Sequence, residues 1–248
     1  TDMTKNIAWF SCGCTSAVAC KIALETLSNV DIIYIETGSA HVDNIRFLND
    51  CSKWFNQPIK IYRSLRYKNV IDVISRTKCV NTPTGARCTF ELKKKVRYQI
   101  EDEYKTWQNQ IFGFEFHENE MKRAKRFVEQ YPEAKAKFPL IDKQLTKSDC
   151  LAIVKKAGIE IPTMYKLGYR NNNCIGCVKG GMGYWNKIRR DFPRTFETMA
   201  TLERKIGHTC LKKNGEPLYL DSLDPNAGSN ESIKIECSLF CNPEFLDL

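Results

Sequence analysis

The chain has 248 residues, with 38 Lys and Arg against 29 Asp and Glu (formal net charge +9), twelve cysteines and three histidines. At 42% hydrophobic and 27% charged residues it has a globular composition, which excludes disordered and fibrous classes. No apolar run reaches the roughly 18 residues of a membrane span, and the first residues lack the basic-then-apolar pattern of a secretory signal, so a cytoplasmic protein with reduced cysteines and no membrane partner is expected.

Residues 5–10 (KNIAWF) read as a short strand that runs into a polar turn, Ser11-Cys12-Gly13-Cys14-Thr15-Ser16. From Ser16 to Leu27 the apolar residues Val18, Ile22, Ala23 and Leu27 recur at helical spacing. Asp31–Ile35 is a β-branched run of strand length that ends before Thr37-Gly38. The pattern then predicts a helix over 42–55, a strand over 59–62, helices over 68–76 and from Thr89 to Tyr104, and a strand over 111–114. Alternating strands and helices predict an α/β fold, a parallel twisted sheet with helices on both faces. Its strand-to-helix loops gather at the carboxyl edge, where such folds bind ligands. After about residue 145 the character changes. A helix is expected over 146–157, with Thr146 as N-cap and Gly158 just past its end. A second is expected over 184–206, interrupted by Pro193, before a loop-rich tail. The expected division is a nucleotide-binding α/β domain over 1–145 and a cysteine-bearing helical and loop region over 146–248 packed on it.

Basic residues cluster at 93–97, at 122–126 and at Lys187, Arg189 and Arg190, which favours an anionic ligand over three solvated helix faces. The 11–16 turn, between a strand end and a helix start, offers free backbone N–H groups, a helix dipole and three hydroxyls, the chemistry of a phosphate site. It lacks the Walker A signature. Among the cysteines, Cys174-x-x-Cys177 and Cys237-x-x-x-Cys241 form two pairs that together satisfy a four-coordinate zinc or iron–sulfur site; two unrelated pairs of free thiols are the plainer alternative. Cys88 follows Arg87 near an expected helix N-terminus, which should lower its pKa and make it reactive. Cys20, Cys51, Cys79 and Cys150 fall at apolar positions and read as core residues. The tyrosines at 165, 169 and 184, with Trp185, read as packing around the Cys174–Cys177 turn, with stacking on a base as the alternative.

FSCGCTSA resembles the S-G-G-x-D/T-S loop of the adenine nucleotide α-hydrolase-like superfamily, with Cys12 in place of a glycine and Cys14 where ATP pyrophosphatases carry lysine. Tyr34-Ile35-Glu36-Thr37-Gly38 is similar to the D-T-G segment of its reductase branch. Arg87-Cys88-Thr89 with Leu92-Lys93 resembles the C-T-x-x-L-K segment, and Gly113-Phe114 with Glu118, Glu120 and Arg123 a G-x-x-x-x-E…R-A element. The pattern looks closest to the phosphoadenylyl-sulfate (PAPS) reductase-like proteins of phages and bacteria.

That resemblance implies nucleotide contacts from Ser11, Gly13, Thr15, Ser16, Glu36, Thr37, Gly38, Arg87 and Arg123, with Cys88 as the catalytic thiol. It implies PAPS as the nucleotide, or ATP with magnesium, and a [4Fe–4S] cluster ahead of zinc, with Cys174, Cys177, Cys237 and Cys241 as metal ligands. Some relatives place a cysteine at the position of Cys88 in such a cluster. Glu236-Cys237-Ser238-Leu239-Phe240 is also similar to the E-C-G-L-H motif, whose cysteine attacks a sulfonate. Three functions follow as expectations: sulfonucleotide reduction served by a thioredoxin-like reductant; ATP-dependent sulfur insertion into tRNA or DNA; or a non-catalytic nucleotide- or nucleic-acid-binding module. The same reading leaves room for a homodimer.

Overall fold

In the computed structural model, which describes residues 4–83 and 85–229, the apolar 5–10 segment forms β1 (Asn6–Phe10), and α1 (Cys14–Thr26) starts four residues later. Then come β2 (Val30–Glu36), α2 (Asn44–Phe55), β3 (Lys60–Arg63) and α3 (Val70–Thr77). A short antiparallel pair, β4 (Asn81–Thr82) and β5 (Gly85–Ala86), leads into α4 (Arg87–Thr89). That turn passes through a π-helical stretch, Phe90–Lys94, into α5 (Lys95–Tyr104). The sheet is completed by β6 (Asn109–Ile111) and, after α6 (Glu118–Gln130), by β7 (Ala136–Lys137). Five parallel strands lie in the order β3-β2-β1-β6-β7, with β1 at the centre because its residues are the most apolar and most buried. The parallel sheet of the sequence reading is present.

The expected strand at 111–114 lies earlier in the chain. Asn109–Ile111 pair with Asn6–Ala8 of β1, and Phe112–Phe114 leave the sheet past the start of α1, where Gly113 meets the backbone of Ser16.

The remaining helices are α7 (Pro139–Asp142), α8 (Lys147–Lys156), α9 (Thr163–Lys166), α10 (Met182–Asp191) and α11 (Pro193–Ile206). β8 (Leu211–Lys213) and β9 (Glu216–Leu218) pair antiparallel after them. Thr146 caps α8 in a reciprocal capping box with Asp149, and Pro193 separates α10 from α11 at Phe192. One apolar cluster joins Ala17, Val18 and Ile22 of α1 to Leu151, Ile153 and Val154 of α8, so residues on both sides of position 145 share a core. On the other sheet face Ile7 and Ile33 pack on Val96 and Ile100 of α5. A third cluster surrounds the fully buried Trp185, with Ile74, Leu92, Phe196 and Met199. Each large apolar side chain so buried contributes roughly 1.5–3 kcal/mol.

A polar tie joins the sheet side to the C-terminal half. Asp43 accepts from Arg46 Nε at 2.7 Å, Arg46 Nη2 at 2.9 Å and the Thr163 N–H at 2.8 Å, and Arg46 also reaches the Glu160 carbonyl at 2.8 Å. The Arg46 guanidinium holds the Asp43 carboxyl well below the usual carboxylate range. A carboxyl depressed in the folded state stabilises above its unfolded pKa of about 3.9, and that contribution is lost as pH falls through and below it. Asp43→Asn should therefore lower stability at pH 7 by about 1.5–3 kcal/mol. Urea unfolding should show the gap between variant and parent narrowing below about pH 4; a gap constant from pH 7 to pH 3 would contradict the assignment.

Candidate active site

The Ser11–Ser16 loop is fixed by its own hydroxyls. The Ser11 N–H and Oγ both donate to Ser16 Oγ, at 2.9 and 3.0 Å, and Ser16 Oγ donates to the Gly13 carbonyl at 3.0 Å. Cys12 stands at φ +58°, the left-handed region that suits glycine, at the position where the resembled loop has one. Asn172 locks this kink from outside, with its Nδ2 donating to the Cys12 carbonyl at 2.7 Å and to Asn44 Oδ1 at 2.8 Å. No N-cap side-chain bond and no acidic residue occupy the first turn of α1, and Thr15 and Ser16 of that turn line the cleft, where its dipole favours an anion.

A cleft of about 720 Å³ opens at the carboxyl edge of the sheet, lined by Ser11, Thr15, Ser16 and Thr37 together with Cys88, Cys174 and Cys177. A recess of about 230 Å³, lined in part by Gly13, Tyr34, Ala40, Asn44 and Tyr165, shares the Ser11–Thr15 wall. Five cations line the main cleft: Lys93, Arg123, Lys147, Arg170 and Lys179. Glu115 and Glu120 are the acidic lining residues. Lys147 stands 3.7 Å from Glu115 and donates to the Arg170 carbonyl at 3.2 Å and to Asn171 Oδ1. Burial, helped by Arg170, lowers its pKa, against the pull of Glu115. A half-desolvated ammonium of this kind gains most from an anionic ligand. His117 caps α6, its Nδ1 accepting from the Asn119 N–H at 3.3 Å, and it lines the same cleft.

The thiol wall comes from two places in the chain. Cys88 lies in α4. Cys174 and Cys177 flank a turn in which Gly176 takes φ +74° and in which a Cβ would sit 2.8 Å from Thr195 Cγ2, so only glycine fits. Tyr184 Oη accepts from the Cys177 N–H at 2.8 Å and donates to the Cys174 carbonyl at 3.1 Å. The Ile175 N–H donates to Ser39 O at 2.9 Å. Cys174 Sγ lies 3.1 Å from Thr37 Oγ1, which brings the thiol turn against the end of β2. Burial, and after it the neighbouring Cys174 and Cys177, push the Cys88 thiol up to about 11; burial likewise raises Cys177. Among the described residues, no group of three His, Cys, Asp or Glu side chains that could hold a metal ion is found.

Residues 5–181 match the family model of the phosphoadenosine phosphosulfate reductase domain. The chain belongs to that family. A crystal structure of phosphoadenylyl-sulfate (PAPS) reductase from Candida auris, a phosphate complex, is similar with a TM-score of 0.53 at 12% identity, over 70% of this chain and 82% of that one; this is a likeness of fold. No curated protein matches the chain. No helix of the described residues is long and apolar enough to cross a membrane.

Within this reductase-family fold, Ser11, Gly13, Thr15, Ser16, Thr37, Cys88, Arg123, Cys174 and Cys177 line the cleft or its recess. Three expected nucleotide contacts do not. The Glu36 carboxylate is taken up by the Gly38 N–H at 2.7 Å and the Tyr34 hydroxyl at 3.0 Å, and Gly38 turns against the Lys68 carbonyl. Arg87 is paired at 2.8 Å with the buried Glu91, one helical turn on. That pairing also corrects the expected activation of Cys88: with the guanidinium engaged by Glu91, burial decides and the thiol pKa rises instead of falling. Cys12, Cys14, Cys20, Cys51 and Cys150 are buried as packing residues, and burial pushes Cys14 up to about 12. Cys79 departs from its core assignment: it is half-buried after α3, bonded to the Asn81 carbonyl at 3.4 Å.

Two residues of the third basic cluster are engaged within the fold. Lys187 pairs with Asp191, and Arg189 donates to the Leu220 and Leu223 carbonyls. Cys237 and Cys241 lie outside the described residues. Sequence reasoning missed Lys147, Arg170 and Lys179. Only the N-cap before Lys147 and the polar run 170–173 marked their neighbourhoods.

The close contact at Gly113 gives a direct check on the loop. A Cβ there would stand 2.6 Å from Ser16 Cα and 2.8 Å from its N, so Gly113→Ala must displace either the strand exit or the first turn of α1. The expected cost is about 1–3 kcal/mol of stability, with at least tenfold weaker adenine nucleotide binding by calorimetry. Unchanged binding would show that the loop does not hold the ligand.

Proposed function

We propose that the chain is a sulfonucleotide-processing enzyme. An adenine nucleotide lies across the cleft, its phosphate on the Ser11–Ser16 loop and its sulfur-bearing group turned toward Cys88, Cys174 and Cys177. The observation that carries this reading is that one cleft joins an uncapped helix N-terminus, five cations and three thiols. Phosphate suits the first, further anionic groups suit Lys147 and its neighbours, and the thiols line the same cleft, where sulfur chemistry belongs. Membership of the reductase family supports a PAPS-type substrate.

The reaction proposed is two-electron reduction of the bound sulfonate. The S–O bond to the nucleotide breaks, the nucleotide leaves with that oxygen and a proton, and sulfite is released. An external dithiol of the thioredoxin type supplies both electrons and becomes a disulfide. The loop N–H groups and Lys147 bind and neutralise the departing phosphate, and the Lys93 and Lys179 ammonium groups hold the sulfonate near the thiols.

The three wall thiols are read as ligands of an iron–sulfur cluster. What supports this is the resemblance to cluster-bearing relatives; among the described residues no group of three His, Cys, Asp or Glu side chains that could hold a metal ion is found, and no step of the reaction above passes through the cluster. Such a cluster, when bound, would supply iron beside the sulfonate. Ile175 and Tyr184 orient the turn that would present its ligands.

Thermal shift and sulfite release test the reading. PAPS should raise the melting temperature and, with a thioredoxin-like dithiol, yield sulfite. Lys147→Met should weaken nucleotide binding tenfold or more, the loss of a charged contact. Protection by ATP with magnesium alone, and no sulfite, would overturn reduction in favour of sulfur insertion into tRNA or DNA.

A further inference from the structure

The recess beside the main cleft holds a polar group that the fold leaves without a partner. Asn172 Oδ1 is shut off from solvent and meets no hydrogen-bond donor. Among the described residues, it is the only such atom on a residue that lines the cleft or its recess. The amide cannot be turned the other way. Its nitrogen donates to the Cys12 carbonyl at 2.7 Å and to Asn44 Oδ1 at 2.8 Å. A carbonyl only accepts, so the NH₂ end is fixed there and the oxygen is the end left over. A buried acceptor with no donor is costly, and a ligand N–H that reaches it recovers that cost on binding.

We propose that Asn172 selects the base: Oδ1 accepts a hydrogen bond from the exocyclic amino group of an adenine seated in the recess. This rests on the adenine nucleotide reading above and adds to it the residue that tells one purine from another. The recess, at about 230 Å³, has the lining a heterocycle needs, with Phe10, Tyr34 and Tyr165 beside Gly13 and Ala40. It shares Ser11 and Thr15 with the main cleft, so a nucleotide with its phosphate on that loop can place its base there. Where adenine carries its amino group, guanine and hypoxanthine carry an oxygen, whose lone pairs would face those of Oδ1. The acceptor is also held in position before any ligand arrives. Asn44 is buried at the start of α2, and Cys12 stands in the left-handed kink at φ +58°, so the amide is clamped between two backbone segments. Binding to a preorganised acceptor avoids the cost of ordering it.

Calorimetry on the full-length chain tests this with three ligands that share their phosphates: the adenosine bisphosphate that sulfite release leaves behind, the same molecule with unsubstituted purine in place of adenine, and its inosine counterpart. The adenine ligand should bind about tenfold more tightly, or better, than either of the others. Equal affinities for the three overturn base selection while leaving the nucleotide reading intact; failure of all three to bind removes that reading and this one with it. Asn172→Ala also releases the Cys12 kink, so every ligand should weaken, and the quantity that decides is the ratio. Adenine over purine should fall to about one in the variant. A parental ratio kept at lowered affinity would leave Asn172 with a structural role alone. The unmutated protein gives a check that needs no variant to fold: the Asn172 side-chain amide resonance should shift with the adenine ligand and by less with the purine one, and equal shifts would sink the proposal.

Discussion

The cleft exists because the chain leaving β6 can touch the backbone that opens α1. Gly113 sits against Ser16 with no room for a side chain, and this contact fixes two things at once. It sends Phe114 and Glu115 along the cleft lining, and it sets the first turn of α1 against the exit of β6, with Thr15 and Ser16 at the cleft. Everything downstream uses that edge. The polar run 170–173 reaches over it to hold Cys12, the N-terminus of α8 brings Lys147 into it, and the thiol turn meets it at Thr37 and Ser39, just past β2.

Electrostatically the cleft is asymmetric. Five basic side chains line it against two carboxylates, yet much of the remaining basic character is spent locally: Lys95 on Glu91, Lys122 on Glu118, Lys187 on Asp191. Net charge alone is therefore a poor guide to where an anion binds. What distinguishes Lys147 is partial desolvation; an exposed lysine elsewhere gains little from one more partner, whereas a half-buried one gains a great deal.

Much of this was readable in the chain before any coordinates. The apolar run of β1, the Ser-rich turn after it and the capping box at Thr146 are local patterns, and local chemistry decides them. The Cys174–Cys177 turn is local too, since the glycine between the cysteines already announces a left-handed residue. What could not be read is what needs partners distant in sequence. Arg87 looked free to activate Cys88, but it pairs with a glutamate one helical turn away, and that glutamate is buried only because the third core closes over it. Lys147 and Arg170 meet at the cleft only after α8 docks on α1. Asn172 carried no motif of its own; its partners, Cys12 and Asn44, are 160 and 128 residues away in the chain.

The π-helical stretch at Phe90–Lys94 has a further consequence. One added residue advances the rest of a helix by about 100° about its axis. Ahead of it, Cys88 faces the cleft; within it, Leu92 enters the core around Trp185; beyond it, Val96 and Ile100 enter the core beneath the sheet. The wide turn works as a phase adapter between two cores that an unbroken α-helix would serve with one continuous stripe. It also lets the sheet-facing half of that helix vary for packing without rotating the sulfur-bearing end out of the site.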